Sequence, residues 1–149
     1  MFESLSPDRL SQAITHAIAP AFVLGAVAAF TSILSTRLET IFARLRALNA
    51  LPDDGHDASY LKADIPRLKK RAQLTNRAMF FAIISGVIVA GLLIVAFMCA
   101  YLGIEHVYGA GVMFMIALLY LVAALVTFAI EVRIALTEYD HHDATRPKP

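Results

Sequence analysis

The sequence predicts an all-α integral membrane protein with three transmembrane helices, the first two extended into a cytoplasmic helical hairpin. Three observations carry that reading. Of 149 residues, 58% are hydrophobic and 17% charged, an apolar share well above that of an ordinary soluble domain. Residues 10–36, 78–104 and 106–130 contain no Asp, Glu, Lys or Arg. Each run is long enough to cross about 30 Å of hydrocarbon at about 1.5 Å per residue. Nine basic residues fall between the first and second runs, whereas none falls between the second and third. Basic residues accumulate on the cytoplasmic side, so the long connection faces inward.

Taken in order, residues 1–19 form a periplasmic N-terminal segment with an interfacial amphipathic helix. Ser6 supplies an N-cap, Pro7 the first turn and Asp8 a negative charge at the positive helix end. Leu10, Ile14, Ala17 and Ile18 then share one face, as in helices that lie in the membrane surface. Pro20 is expected to divide this helix from the first span, because proline disrupts a helix interior. A cleaved secretory leader would need a basic start, whereas Glu3 and Asp8 outweigh Arg9.

The first span covers residues 20–36 and passes without proline or glycine into a hairpin over 37–77. There Leu38, Ile41, Phe42, Leu45 and Leu48 repeat at helical spacing, while Arg37, Glu39 and Arg44 point elsewhere. The cluster LPDDGHD at 51–57 marks a turn. Leu61, Ile65, Leu68 and Ala72 then resume a helical stripe, in which Pro66 either kinks the helix or marks its start. The two stripes are expected to bury against each other or against a neighbouring subunit. The second span, 78–102, is apolar on every face. A periplasmic turn follows at 103–111, bracketed by Tyr101 and Tyr108. The third span occupies 112–132, and residues 133–149 form a cytoplasmic extension and flexible tail.

These pieces resemble a known family. TRLETIFARLRALN behind the first span, RLKKRAQLTNRAMFF leading into the second and EVRIAL closing the third are similar to an uncharacterised bacterial family of small three-span membrane proteins, the domain-of-unknown-function family 2721. The resemblance covers nearly the whole chain. It implies the same topology and a bacterial inner-membrane setting, and it brings no established activity; the distribution of basic residues puts the N-terminus outside and the C-terminus in the cytoplasm. Thr36 stands where the family usually has Asn, so no amide role carries over to that position.

Three groups of residues carry the expectations about sites. Glu131 and Arg133 close the third span at the depth where Arg37 leaves the first and Arg77 enters the second. A carboxylate near hydrocarbon needs a partner, so Glu131 should contact Arg37 or Arg77 from a neighbouring helix. A structural clasp that fixes helix register is favoured over an ion-sensing girdle. Small residues form the second group. Gly25, Ala28, Ser32 and Ser35 lie along one stripe of the first span, and Ala82, Gly86 and Ala90 along one of the second. Thr31, Ser32 and Ser35 add hydroxyls that either line a polar conduit or bond to their own helix carbonyls. The third group, Arg67, Lys69, Lys70 and Arg71, suits anionic lipid head groups as well as topology control.

Other signals point to ordinary structure. His16, Glu105 and His106 read as interfacial residues, and Cys99 as a structural thiol in an apolar run. Glu138, Asp140, His141, His142 and Asp143 invite a metal, but neighbours on a mobile tail make a poorly organised site, so a solvated terminus is expected. The chain has no GxSxG, Walker, HExxH or Cys/His ligand pattern, which predicts a protein that is not an enzyme and needs no cofactor or metal. A net charge of +1 argues against nucleic acid. The expected partners are membrane lipids and further copies of the chain. The functional expectation is a homo-oligomer assembled through small-residue seams, extended to a narrow ion-conducting pore. The rival is an accessory or scaffold subunit on a larger membrane complex.

Overall fold

The computed structural model describes residues 7–51, 62–102 and 107–144, with side chains described except at 7–10, 12, 13, 16, 107, 108 and 137–144. Among these residues there are three helices: α1 (Pro7–Asn49), α2 (Ile65–Leu102) and α3 (Val107–Ala144). Each holds a stretch long and apolar enough to cross a membrane, within Ala17–Asn49, Ile65–Leu102 and Gly109–Leu136. The described residues are thus all-helical, with three stretches that suit a multi-pass membrane protein. The N-cap at Ser6, the turn residues 52–57 and the outer-turn residues 103–106 lie outside the described residues, as do the side chains of His16 and Tyr108.

One sequence expectation is corrected. The chain does not divide at Pro20, because α1 is a single helix that contains it. Proline withholds one N–H from the helix ladder, a loss that transmembrane helices tolerate when surrounding groups compensate. Pro20 is buried, and the helix-forming alanines on both sides carry the helix through. At Pro66 the sequence left two alternatives, and the proline stands in the first turn of α2, where its missing N–H would be unpaired anyway. The Leu68 amide donates to the Asp64 carbonyl at 3.1 Å, which anchors that turn. At the other boundary α1 tightens, with the Ala50 amide donating to Arg46 and the Leu51 amide to Leu48. Arg46 places its charge in this last turn, where the helix dipole favours a cation.

The chain forms two compact units, and each helix contributes to both. Unit 1 comprises residues 1–32 and 81–123. Its interior is built from Val27 of α1, Ala82, Ser85, Gly86, Val89 and Leu92 of α2, and Ala117 of α3. A Cβ added at Gly86 would stand 3.2 Å from Val27 Cγ1, so the glycine sets how closely α1 approaches α2. Ser85 donates its hydroxyl to the Ala117 carbonyl at 2.8 Å, joining α2 to α3. Phe81 and Tyr120 meet with ring centroids 6.3 Å apart. The outer surface is apolar: Phe22 is 80% exposed, Leu119 68% and Ile94 67%. So much exposed apolar surface suits lipid as the surrounding medium.

Unit 2 comprises residues 33–80 and 124–149. Here Ile41 and Leu45 of α1 pack with Leu68 and Ala72 of α2, flanked by Leu38, Leu48 and Ile65. The two helical stripes therefore bury against each other within one chain. Phe42, placed on the same stripe by spacing, is instead largely exposed. It sits one position past Ile41, about 100° around the helix, at the margin of a face that Ile41 and Leu45 already fill.

Candidate functional site: a carboxylate shared by two arginines

All three helices of unit 2 supply the site. Glu131 of α3 is fully buried, and each of its oxygens meets an arginine from another helix. Arg37 of α1 donates from Nη1 to Oε2 at 2.6 Å. Arg71 of α2 donates from Nε to Oε1 at 3.0 Å. Helical spacing brings the supporting groups to the same place. Phe128 precedes Glu131 by three residues on α3, and its ring lies 5.2 Å from the Arg37 guanidinium carbon. Thr75 follows Arg71 by four residues on α2, is fully buried, and donates its hydroxyl to the Arg71 carbonyl at 3.0 Å.

Burial is graded across the cluster. The Glu131 side chain has no exposed surface, Arg71 keeps 16% and Arg37 40%. A carboxylate taken out of water is tolerated only when paired and hydrogen-bonded, and two guanidiniums provide that pairing here. The chemical capacity of this arrangement is a cross-link: one group on α3 fastens both α1 and α2.

The structure thus joins two residues that the sequence singled out, Arg37 and Glu131. The other two, Arg77 and Arg133, both have exposed side chains. Arg71, grouped by sequence with lipid-facing bases, occupies the second position on the carboxylate. A signal for this was available. Arg71 lies between Leu68 and Thr75 on the buried stripe of α2, whereas Arg77, six residues on, is rotated by roughly 240° from it. Arg67, Lys69 and Lys70 are exposed. The basic run is therefore divided between the interior and the surface.

The small-residue stripes are also divided. On α2, Ala82 and Gly86 are buried and Ala90 is half-buried. On α1, Gly25, Ala28 and Ser32 are exposed, and a Cβ at Gly25 would meet nothing within 4 Å. Thr31 donates its hydroxyl to the Val27 carbonyl at 2.8 Å, and Ser35 is half-buried. Among the described residues no group of three His, Cys, Asp or Glu is placed to hold a metal. The tail side chains Glu138, Asp140, His141, His142 and Asp143 lie outside the described ones, and Cys99 is a half-buried free thiol.

Comparison with protein families gives a match over residues 17–141 to a family described as protein of unknown function (DUF2721). The chain belongs to this family. The matched range spans Arg37, Arg71 and Glu131. Comparison with curated proteins and with solved structures gives no match.

Proposed function

We propose that this DUF2721 protein is a non-enzymatic integral membrane protein that self-assembles into a homo-oligomer through the small-residue stripe of α1. One observation carries the reading. Of the two stripes, that of α2 lies inside the chain, while Gly25, Ala28 and Ser32 of α1 face outward and open to close approach by another helix. In lipid, helices associate chiefly by such close packing, because hydrocarbon supplies no hydrophobic drive. The setting proposed is a bacterial inner membrane, with the basic connection of 37–77 and the C-terminus in the cytoplasm, as the distribution of Lys and Arg favours. A narrow ion-conducting path along the symmetry axis extends the proposal. It requires Ser35 and Thr31 to face that axis, although the Thr31 hydroxyl is already bonded to Val27.

The test is the oligomeric state in mild detergent, combined with disulfide cross-linking of Ala28→Cys in a Cys99→Ser background. A single closed species, cross-linked at Ala28 and not at the lipid-facing control Leu119→Cys, is expected. A monomer recovered only with foreign subunits would replace self-assembly by an accessory role on a larger complex. Conductance in liposomes that is lost in Ser35→Leu would carry the reading on to a pore.

A further inference from the structure

Gln73, Asn76, Arg77 and Phe80 follow one another on α2 at the i, i+3, i+4 and i+7 offsets of a single helical face, and all four are exposed. The buried residues Leu68, Thr75 and Ala82 lie on the other side of the helix. Among the described residues, none takes up the side-chain donors of Gln73, Asn76 or Arg77. The clasp uses none of them.

Their depth describes what would meet them. Arg77 is the last charged residue before the uncharged run 78–104, so it stands at the edge of the hydrocarbon. At about 1.5 Å per residue, Gln73 and Asn76 lie within about 8 Å of that edge, comparable with the thickness of a head-group layer. Side chains on a helix lean toward its N-terminus, and the N-terminus of α2 points away from the uncharged run. Three donor side chains therefore reach back among the head groups, while Phe80, 59% exposed, stands at the start of the hydrocarbon. Helix α2 carries no Asp or Glu, and Lys69 and Lys70 are exposed about two turns beyond Arg77. A net negative head group is attracted to such a face, whereas one that carries a cation gains less.

We propose that this face of α2 holds one anionic phospholipid, with its phosphate on the Arg77 guanidinium, its head group against the carboxamides of Gln73 and Asn76, and the start of an acyl chain along Phe80. A guanidinium presents paired donors that match phosphate oxygens. Carboxamides donate to and accept from the neutral hydroxyls of a head group such as that of phosphatidylglycerol. The site shares no residue with the α1 stripe, so it does not rest on self-assembly.

The chain has no tryptophan, so Phe80→Trp supplies a single fluorescent reporter at the site. The full chain carrying it, in neutral detergent, is titrated with phosphatidylglycerol or phosphatidylcholine brominated on the acyl chains. Quenching by phosphatidylglycerol should reach its midpoint at a concentration about fivefold or more below that for phosphatidylcholine, the effect of roughly one basic contact near a charged surface. Adding Arg77→Gln should weaken phosphatidylglycerol by about that factor and bring the two lipids level. Arg44→Gln, which removes an equally charged and exposed residue from α1, should change the midpoint less than about twofold. Should Phe80→Trp disturb the protein, native mass spectrometry decides in its place: the wild-type chain should retain one phosphatidylglycerol in preference to phosphatidylcholine, and Arg77→Gln should lose that preference. Equal binding of the two lipids overturns the proposal. So does an equal loss from Arg77→Gln and Arg44→Gln, which would reduce the effect to diffuse attraction between charges.

Discussion

In unit 1 the described side chains include no Asp, Glu, Lys or Arg, and α1, α2 and α3 meet through Val27, Gly86, Ser85 and Ala117. In unit 2 the same three helices meet through leucines and a carboxylate gripped from two sides. The difference follows from the medium each unit suits. Among lipid tails, bringing apolar side chains together gains no hydrophobic free energy, so association relies on close backbone approach and scarce hydroxyl bonds. Where water has access, burying Ile41, Leu45 and Leu68 is itself favourable, and a charge can be afforded if it is paired. One chain therefore uses two kinds of fastening along continuous helices.

The largest expected effect is on the charged fastening. Glu131→Ala leaves Arg37 and Arg71 facing each other without the carboxylate between them, a loss of the kind that costs about 3–5 kcal/mol in buried pairs. Thermal unfolding in neutral detergent should show a clear drop in midpoint, accompanied by faster proteolysis within residues 37–77. Unchanged unfolding would mean that leucine packing alone holds unit 2, and the contrast with unit 1 would then rest on apolar contacts only.

Much of this contrast was legible in the sequence. The three uncharged runs gave the helices, and the spacing of Leu38, Ile41, Leu45 and Leu48 gave one wall of the hairpin. Glu131 announced itself as a carboxylate that needed a partner, and Arg37 followed from its position at the end of the first run. Arg71 is not legible from depth alone, because the edge of the uncharged run points to Arg77. Facing depends on rotation about the helix, and only Arg71 shares the side of Leu68 and Thr75. Pro20 misled for a different reason: local preference said break, and the packed helix around it prevailed. The division of labour between the two small-residue stripes could not be read from either alone, since both have the same spacing and only packing distinguishes the inner from the outer one.

That division gives the second test. Gly86→Leu should destabilise the protomer by about 1–3 kcal/mol, because even a Cβ there crowds Val27. Gly25→Leu meets open space within the chain, so unfolding of the dissociated protomer should stay within about 0.5 kcal/mol of wild type while self-association weakens. The two variants carry the same change in volume on the same kind of stripe. If both weaken the protomer equally, the α1 stripe is packed internally and the proposed assembly surface is lost.

The smallest effect belongs to the hydroxyl that joins α2 to α3. Ser85→Ala removes the donor to Ala117, but the Ala117 carbonyl keeps its place in the α3 ladder, and a methyl group still fills most of the buried space. Interhelical bonds of this type contribute about 0.6 kcal/mol in membrane proteins, so the midpoint should fall only slightly, by less than for Gly86→Leu. Ranking these two variants by unfolding in detergent separates the two contributions within unit 1. Should Ser85→Ala prove the more damaging, the hydroxyl bond would be the principal fastening there. Unit 1 would then resemble unit 2 after all, each depending on one polar contact in an otherwise apolar interior.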